Sequence, residues 1–255
     1  MRILLTNDDG IHAAGLAALE RALAAVGEVW TVAPDQERSA VSHAITLGAP
    51  LRITEVGERR FVVNGTPTDC TYLALNHMVQ DEPPALLISG VNHGPNLGND
   101  VTYSGTVGAA MEGCGLGVPS MAVSSVGTRA SDLDGAAAFT TLLAIQVAER
   151  SLPPGVFLNV NVPEGFDTGE APRWQVTTLG RRNYGRHVDM RLDPRGGRYF
   201  WIGGPPITHD DIPGSDCNAV RDGAASVTPV HMDLTRYEYI RTLQSWTIDG
   251  SRPTA

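Results

Sequence analysis

The strongest constraint on the fold is an alternation of short apolar runs with helical patterns. Five runs have the length and β-branched content of buried strands, namely RILLT from Arg2, VWTVA from Val29, ALLIS from Ala85, SMAVSS from Ser120 and VFLNVNV from Val156. Apolar residues at helical spacing predict helices over Ile11–Val26, from the YSGT segment at Tyr103 onward, and from Asp132 to about Glu149. The third helix has Ser131 as its expected N-cap and Asp134 close to a capping box. The alternation predicts an α/β fold with a three-layer, Rossmann-like and mostly parallel sheet, and there are too few βα units for an eight-fold barrel.

The later part of the chain has a different composition, rich in Gly, Pro, Arg and aromatic residues. It predicts a β-hairpin with its turn at Pro194–Gly197, followed by a strand-like run, AASVTPV, from Ala224 and a frayed tail, SRPTA. We therefore expect a single domain, with residues 1–180 as the α/β core, 181–215 as an extended hairpin and 216–255 as a C-terminal segment.

All of the basic residues are Arg, because the 255-residue sequence contains no Lys. This excludes a phosphate-binding loop of the G-x-x-x-x-G-K-[ST] type, a Schiff-base lysine and a Ser/Lys dyad. The net charge of −9 has the wrong sign for a protein whose main partner is nucleic acid or an anionic membrane surface. If the protein binds a phosphate, something other than lysine must neutralise it.

The sequence also predicts a cytoplasmic location. Charged residues appear early in MRILLTNDDG, which is unlike a signal peptide, and the longest apolar stretch, Gly135 to Ala148, is too short to span a bilayer. The three cysteines, Cys70, Cys114 and Cys217, have no C-x-x-C spacing and are expected to be buried as small apolar residues.

Polar residues follow four of the predicted strands. They lie at Asn7–Gly10, Asp35–Ser39, Asn92–Gly98 and Ser124–Ser125, and parallel strands bring such ends to one edge of a sheet. The adjacent Asp8 and Asp9 would repel each other there, and a bound divalent cation would offset that cost. Carboxylate, hydroxyl and amide oxygens favour Mg²⁺, Mn²⁺ or Ca²⁺. The alternative is that one aspartate caps the helix near Ile11 while the other is solvated.

The segment VNHGPNLGNDVTYSGTVGAA predicts an anion site at the same edge. Its glycines allow close backbone approach, and Ser104 and Thr106 lie where a loop becomes a helix, whose free N–H groups attract anions without a lysine. The alternative is that Ser104 only caps its helix. Among the histidines, His93 is retained as a candidate because Asn92 and Asn96 are its neighbours. GTPTDC, from Gly65, is interpreted as a turn that caps a helix at Thr68 or Asp69.

Motifs in order along nearly the whole chain resemble those of the SurE family of stationary-phase survival nucleotidases. They are NDDG at Asn7, APDQERSA through Ser39, GTPTDC at Gly65, SGVNHGPNLG from Ser89, YSGTVGAAMEG from Tyr103, NVNVP from Asn159, DPRGGRYFWIGG from Asp193 and SVTPVHMDLT from Ser226. The resemblance implies one divalent cation per subunit, such as Mg²⁺ or Mn²⁺, held by Asp8, Asp9, Ser39 and Asn92. It also implies a phosphate site formed by Asn96, Ser104, Gly105 and Thr106.

The resemblance further implies hydrolysis of nucleoside 5′- and 3′-monophosphates by a homodimer or homotetramer, in which the late hairpin and C-terminal segment reach a neighbour. The expected catalytic residues are Asp8, Asp9, Asn96 and Ser104, with Asp9 orienting or deprotonating water, although the sequence does not choose between the two aspartates. Two rivals stay open. One is a phosphatase that forms an aspartyl-phosphate, although Asn7 replaces the first residue of its D-x-D signature; the other is a non-catalytic nucleotide-binding protein.

Overall fold

The computed structural model describes residues 1–169, 171–185, 188–203 and 207–248, so the predicted frayed tail, 251–255, lies outside the described residues. The strands are β1 (Arg2–Thr6), β2 (Glu28–Pro34), β3 (Ile53–Gly57), β4 (Arg60–Val63), β5 (Leu86–His93), β6 (Ser120–Ser125), β7 (Val156–Val162), β8 (Trp174–Val176), β9 (Arg182–Asn183), β10 (Val188–Leu192), β11 (Arg198–Ile202), β12 (Thr208–His209) and β13 (Ala225–His231). The helices are α1 (Ala14–Leu23), α2 (Pro67–Leu73), α3 (Gly105–Gly115), α4 (Ala130–Arg150), α5 (Asp216–Arg221) and α6 (Tyr237–Gln244). A π-helical turn continues α2, and a 3₁₀ turn, Gly98–Thr102, precedes α3.

The main sheet has the strand order β3-β4-β2-β1-β5-β6-β7-β13-β8. Strands β4, β2, β1, β5, β6 and β7 run parallel, while β3 pairs antiparallel with β4 and β13 antiparallel with β7. The predicted mostly parallel α/β sheet is therefore confirmed. Because β13 lies between β7 and β8, the C-terminal part of the chain also contributes a strand to this sheet.

Helices cover both faces of the sheet and complete the three layers. On one face α1 packs against α4, with Leu16, Leu19 and Leu23 of α1 fully buried in the core. On the other face α2 packs against α3, and Val107 and Ala110 of α3 lie in a second core cluster. Each fully buried leucine contributes about 1.5–3 kcal/mol of transfer free energy, so the apolar stripe of α1 is what holds this helix to the sheet.

Two helix boundaries differ from the sequence expectation. The first helix was expected over Ile11–Val26, but Ile11 donates its N–H to the Pro34 carbonyl at 3.0 Å and belongs to the preceding loop. The third helix begins at Ala130, so Ser131 is not its N-cap. Arg129 is the cap instead, because the Asp132 carboxylate accepts its N–H at 3.1 Å and its guanidinium at 3.0 Å.

The GTPTDC segment does begin a helix, but the cap differs from the expectation. Thr66, rather than Thr68 or Asp69, is the N-cap of α2, and Pro67 occupies the first helical turn. Thr66 accepts the Asp69 N–H at 3.1 Å and donates its own N–H to the Asp69 carboxylate at 2.8 Å, which forms a capping box.

The predicted hairpin and last strand are both present. Strands β10 and β11 pair antiparallel around a turn that Asp193 closes by donating its N–H to the Gly197 carbonyl at 2.8 Å. The AASVTPV run forms most of β13. All three cysteines are buried and unpaired, as expected. Within the described residues, no helix combines the length and the apolar character that crossing a membrane requires.

Candidate active site

The two acidic residues that follow β1 lie at the carboxyl edge of the parallel sheet. Asn7 closes the turn between them and α1, since its amide donates to the Gly10 carbonyl at 2.9 Å and its Oδ1 accepts the Gly10 N–H at 3.2 Å. The N-cap of α1 is Ala13, with no side-chain cap. The alternative that Asp8 or Asp9 caps this helix is therefore wrong, and both carboxylates are available for other roles.

Asp8 is a buried carboxylate held by the start of α3. Its Oδ1 accepts the Thr106 hydroxyl at 2.5 Å, and its backbone carbonyl accepts the Arg38 N–H at 2.7 Å. Burial raises the pKa of Asp8 from 3.8 to about 6; the bond from Thr106 opposes this rise and the charge of Asp9 adds to it. A buried acid whose pKa is raised in this way has no adequate positive partner within the described chain.

Asp9 is half-buried beside His93, the histidine retained from the sequence. Its Oδ2 accepts the His93 N–H at 3.3 Å and lies 3.5 Å from Nδ1 of the same residue. Burial raises the pKa of Asp9 and the charge of Glu37 adds to the rise, whereas His93 opposes it. Asp8 and Asp9 thus form an adjacent pair that both resist ionisation.

Ser39 reaches the same edge from the connection after β2, and Asn92 reaches it from the end of β5. The Ser39 hydroxyl donates to Glu37 at 2.7 Å, and the Asn92 amide nitrogen donates to the Gly94 carbonyl at 2.8 Å. Each side chain therefore donates one hydrogen bond and keeps oxygen lone pairs available, at Oγ of Ser39 and Oδ1 of Asn92.

The start of α3 meets these residues at close range. Ser104 is its N-cap and accepts the Val107 N–H at 3.1 Å, and Ser104 also lines the cavity described below, so capping does not remove it from the candidate site. A Cβ on Gly105 would lie 3.0 Å from the Asp8 Cβ, which explains why the smallest residue stands there. Thr106 is fully buried and bonds to Asp8, so its side chain does not face the cavity.

A cavity of about 720 Å³ lies between these elements. Its lining comprises Asp8, Asp9, Glu37, Ser39, Ala40, Asn92, His93, Pro95, Asn96, Asp100, Tyr103, Ser104, Tyr184 and Ile202. Four of these residues are acids and none is Arg; Arg182 pairs with Asp100 from outside the lining, so among the described residues an excess of negative charge remains at Asp8, Asp9 and Glu37. No cluster of three or more His, Cys, Asp or Glu suited to a metal occurs in the part of the chain that the structure describes. A cation here would need hydroxyl and amide oxygens beside the two aspartates.

Comparisons with known proteins agree with this geometry. The family model described as Survival protein SurE matches residues 3–186. The chain is 53% identical over 250 residues to the 5′-nucleotidase SurE of Myxococcus xanthus, covering 98% of this chain and 94% of that protein. The corresponding protein of Anaeromyxobacter dehalogenans is 54% identical over 252 residues, covering 98% and 97%. The chain belongs to the SurE family.

The crystal structure of the SurE protein from Aquifex aeolicus shows the same fold. It is 37% identical to this chain and superposes with a TM-score of 0.84, covering 96% of this chain and 98% of that one. The sheet edge described above is thus part of an architecture that this SurE chain shares over nearly its whole length.

In this SurE chain, a buried asparagine network that sequence reasoning missed holds Asn96. The Asn96 N–H donates to Asn161 Oδ1 at 2.8 Å, and its carbonyl accepts the Asn159 and Asn161 amides at 2.8 and 3.0 Å. Its side-chain amide donates to Ser124 at 2.8 Å, which leaves a second N–H for the cavity. Two asparagines at alternate positions of the central strand β7 point to one face, and this pattern was the available signal.

A second missed group forms the outer wall of the cavity. The Asp100 carboxylate accepts the Arg182 guanidinium at 2.5 Å and the Tyr184 hydroxyl at 2.6 Å. Burial and the bond to Asp100 raise the pKa of Tyr184 to about 12, and the Arg182 guanidinium lies 5.2 Å from its ring centre. Because Arg182 forms an ion pair with Asp100, its positive charge is already neutralised and is not available to bind a phosphate.

Asp216, at the start of α5, is hydrogen-bonded to both loops of that wall, at Gly98 and at Gly180. Its carboxylate is fully buried and accepts the N–H groups of Gly98 and Gly180 at 2.8 and 2.7 Å. Gly98 and Gly180 lie 118 and 36 positions from Asp216, so no local sequence pattern connects them.

Proposed function

We propose that this chain is a divalent-metal-dependent nucleotidase that hydrolyses nucleoside 5′-monophosphates, and also 3′-monophosphates, to nucleoside and phosphate. The observation that carries the proposal is a cavity lined by four acids and, among the described residues, no Arg, beside the N-terminus of α3. A phosphate dianion enters such a cavity only when a cation offsets the negative wall. The names of the two bacterial relatives, 5′-nucleotidase SurE, support the 5′-nucleotidase part of this activity.

The proposed ligands of the cation are Asp8, Asp9, Ser39 and Asn92. Two carboxylates, a hydroxyl and an amide oxygen fit a hard ion such as Mg²⁺ or Mn²⁺. The raised pKa values of Asp8 and Asp9 support one such ion per chain, because a nearby positive charge would restore the ionised form of both.

The remaining phosphate oxygens are assigned to Asn96, Ser104 and the backbone at Gly105, where the partial positive charge of the α3 N-terminus acts. Thr106, expected from the sequence to bind substrate, is proposed to act through Asp8, since its hydroxyl donates to that carboxylate. When bound, a divalent cation polarises the phosphate and lowers the pKa of water. Asp9 is proposed to orient or deprotonate the attacking water, which its place on the cavity wall supports.

Phosphate release from AMP, measured with Mn²⁺ and with excess EDTA, tests this function. We expect turnover with Mn²⁺, loss of turnover with EDTA and recovery when Mn²⁺ is restored. The absence of release with every divalent metal would favour a non-catalytic nucleotide-binding protein. A covalent phosphoenzyme trapped by rapid quench would favour the aspartyl-phosphate mechanism instead, against which the turn-closing role of Asn7 argues.

The assembly is proposed to be a cytoplasmic homodimer or homotetramer. Supporting the contact between copies, β10 and β11 expose Met190, Leu192 and Phe200, and α6 exposes Tyr237 and Leu243 without burying any residue. Sedimentation of the purified chain at micromolar concentration should show the oligomer, and a monomer would contradict the proposal. Cell fractionation with a cytoplasmic marker tests the location.

A further inference from the structure

Residues 35–52 join β2 to β3 without forming a helix or strand. Ser39, a proposed ligand, is exposed near the start of this connection. The Arg38 N–H, bonded to the Asp8 carbonyl at 2.7 Å, holds the chain on one side of Ser39, and the residues that follow must hold the other side. Ala40 and Ser42 have φ values of 57° and 55°, in the left-handed region that costs non-glycine residues energy. Such a conformation persists only where surrounding contacts enforce it. We call residues 35–46 the Ser39 loop.

One side of the Ser39 loop is hydrogen-bonded to the turn that precedes α3 and packs on α3 itself. Ser42 donates its N–H to the Tyr103 carbonyl at 2.9 Å and its hydroxyl to the Thr102 carbonyl at 2.8 Å. The His43 ring pairs with Glu112 of α3 at 2.6 Å. A Cβ on Gly108 would lie 2.5 Å from the Ser42 carbonyl oxygen, so the loop lies directly on the helix.

The far end of the loop is fastened to α2 by Asp69. This carboxylate, 1% exposed, accepts the Thr46 N–H at 2.8 Å, the Thr46 hydroxyl at 2.6 Å and the Thr66 N–H at 2.8 Å. Thr66 in turn donates its hydroxyl to the Ala44 carbonyl at 2.7 Å. The three donors to Asp69 are neutral, and two of them belong to the Ser39 loop.

Asp69 does more than cap α2, because a cap alone requires only the contacts with Thr66. Among the described contacts, the Oδ1 atom of Asp69 accepts only the Thr46 N–H. One of the two carboxylate oxygens is therefore bonded to the loop alone. An amide at this position would turn an NH₂ group toward either Thr46 or Thr66, which are both donors. The carboxylate is thus suited to hold the helix start and the loop at once.

We propose that Asp69 and Thr46 are positioning residues for the metal site, which hold the Ser39 loop so that the Ser39 hydroxyl stays beside Asp8 and Asp9. This rests on the proposed function, because it takes Ser39 as a ligand of the cation. GTPTDC then serves the site through the loop and not through contact with substrate.

Thr46→Val tests the proposal, because it removes the hydroxyl bond to Asp69 and keeps the backbone bond and the side-chain shape. Mn²⁺ binding is measured directly by the electron paramagnetic resonance of free Mn²⁺, without substrate. Loss of a partner that orients a ligand from outside the coordination shell weakens metal affinity by about tenfold or more, so we expect a rise of ~10-fold in the Mn²⁺ Kd. Turnover at saturating Mn²⁺ should return to near the wild-type rate, which a general loss of folded protein would not allow.

Thr46→Ser restores the hydroxyl and should restore wild-type Mn²⁺ affinity. Thr141→Val is the matched control, because it removes a comparable hydroxyl bond, to the Ala137 carbonyl at 3.0 Å on α4. If Thr46→Val does not fold, Asp69→Asn carries the same expectation. Wild-type Mn²⁺ affinity in the folded Thr46→Val or Asp69→Asn protein would overturn the proposal. A wild-type chain that binds Mn²⁺ but never hydrolyses AMP would refute the proposed function instead, while the Mn²⁺ affinities would still decide the role of the loop.

Discussion

Replacing Asp8 with Asn should stabilise the metal-free protein while abolishing its metal binding. The Asp8 carboxylate is buried, 4% exposed, and lies next to a second carboxylate. Since each tenfold change in proton affinity is about 1.4 kcal/mol, the rise in the pKa of Asp8 from 3.8 to about 6 corresponds to ~3 kcal/mol of destabilisation at pH 7.5. Asparagine has nearly the same shape, can still accept the Thr106 hydroxyl and carries no charge.

The pH dependence has a definite sign. Above pH 6 Asp8 is ionised in both states, and the ionised carboxylate is less stable in the folded metal-free chain than in the unfolded chain. The contribution of Asp8 therefore becomes less unfavourable as the pH falls through 6, and the penalty is gone near pH 3.8, where the unfolded chain also takes up the proton. The advantage of Asp8→Asn over the wild type should shrink over the same range.

Thermal unfolding in EDTA at pH 7.5 and at pH 5 measures both effects. For a domain of this size ~3 kcal/mol corresponds to a Tm higher by about 6–12 °C for Asp8→Asn at pH 7.5. At 100 times its Kd, Mn²⁺ should add ~2.7 kcal/mol to the free energy of unfolding of the wild type and so raise its Tm. The Tm of Asp8→Asn should not change with Mn²⁺. Asp134→Asn, at an exposed aspartate of α4, is the control and should change stability by less than about 1 kcal/mol. An Asp8→Asn protein that is no more stable than the wild type in EDTA would refute the reasoning.

Two further substitutions test the proposed site. Asp9→Asn should lower turnover at saturating Mn²⁺ on the order of 10²-fold or more, the range expected for loss of a general base, and unchanged turnover with retained metal affinity would end that role for Asp9. Tyr103, whose ring is exposed on the cavity wall, is proposed to contact the base of the substrate. On that basis Tyr103→Ala should raise the KM for AMP by about tenfold and leave the KM for p-nitrophenyl phosphate unchanged. Tyr103→Phe is the conservative control. Equal losses on both substrates would count against a contact with the base.

The sequence places Asp8, Asp9 and Asn92 well because a general property of parallel sheets decides their location. Each follows or ends a buried strand, and the strands β1 and β5 are neighbours that run in the same direction. Thr106 shows the limit of this reasoning. Its position at the start of a helix was correctly located, but the direction of its side chain depends on the rotation of α3 against β1, which no local pattern records.

The outer wall of the cavity depends on contacts between distant segments. Arg182 appears in the sequence as one of several arginines of a polar, glycine-rich stretch, and only the folded chain commits it to Asp100. The strands β3 and β4 were missed for a related reason. Strand β3 lies at the edge of the sheet with only one residue that is even half-buried, and β4 beside it has only one fully buried residue, so the apolar pattern that reveals a central strand is weak.

Because the chain has no lysine, the positive partners of a phosphate in this cavity must come from other groups. Arg38, next to Glu37 and Ser39 in the sequence, contacts Asp35 at 3.3 Å, and Arg182 is paired with Asp100. The arginines beside the wall are thus matched by acids, while Asp8 and Asp9 have raised pKa values that mark them as unmatched. A phosphate in this cavity must find its positive partners in a divalent cation and in the N–H groups at the start of α3. Because a cation can be removed and a lysine cannot, activity that survives complete removal of divalent metal would contradict this account of the site.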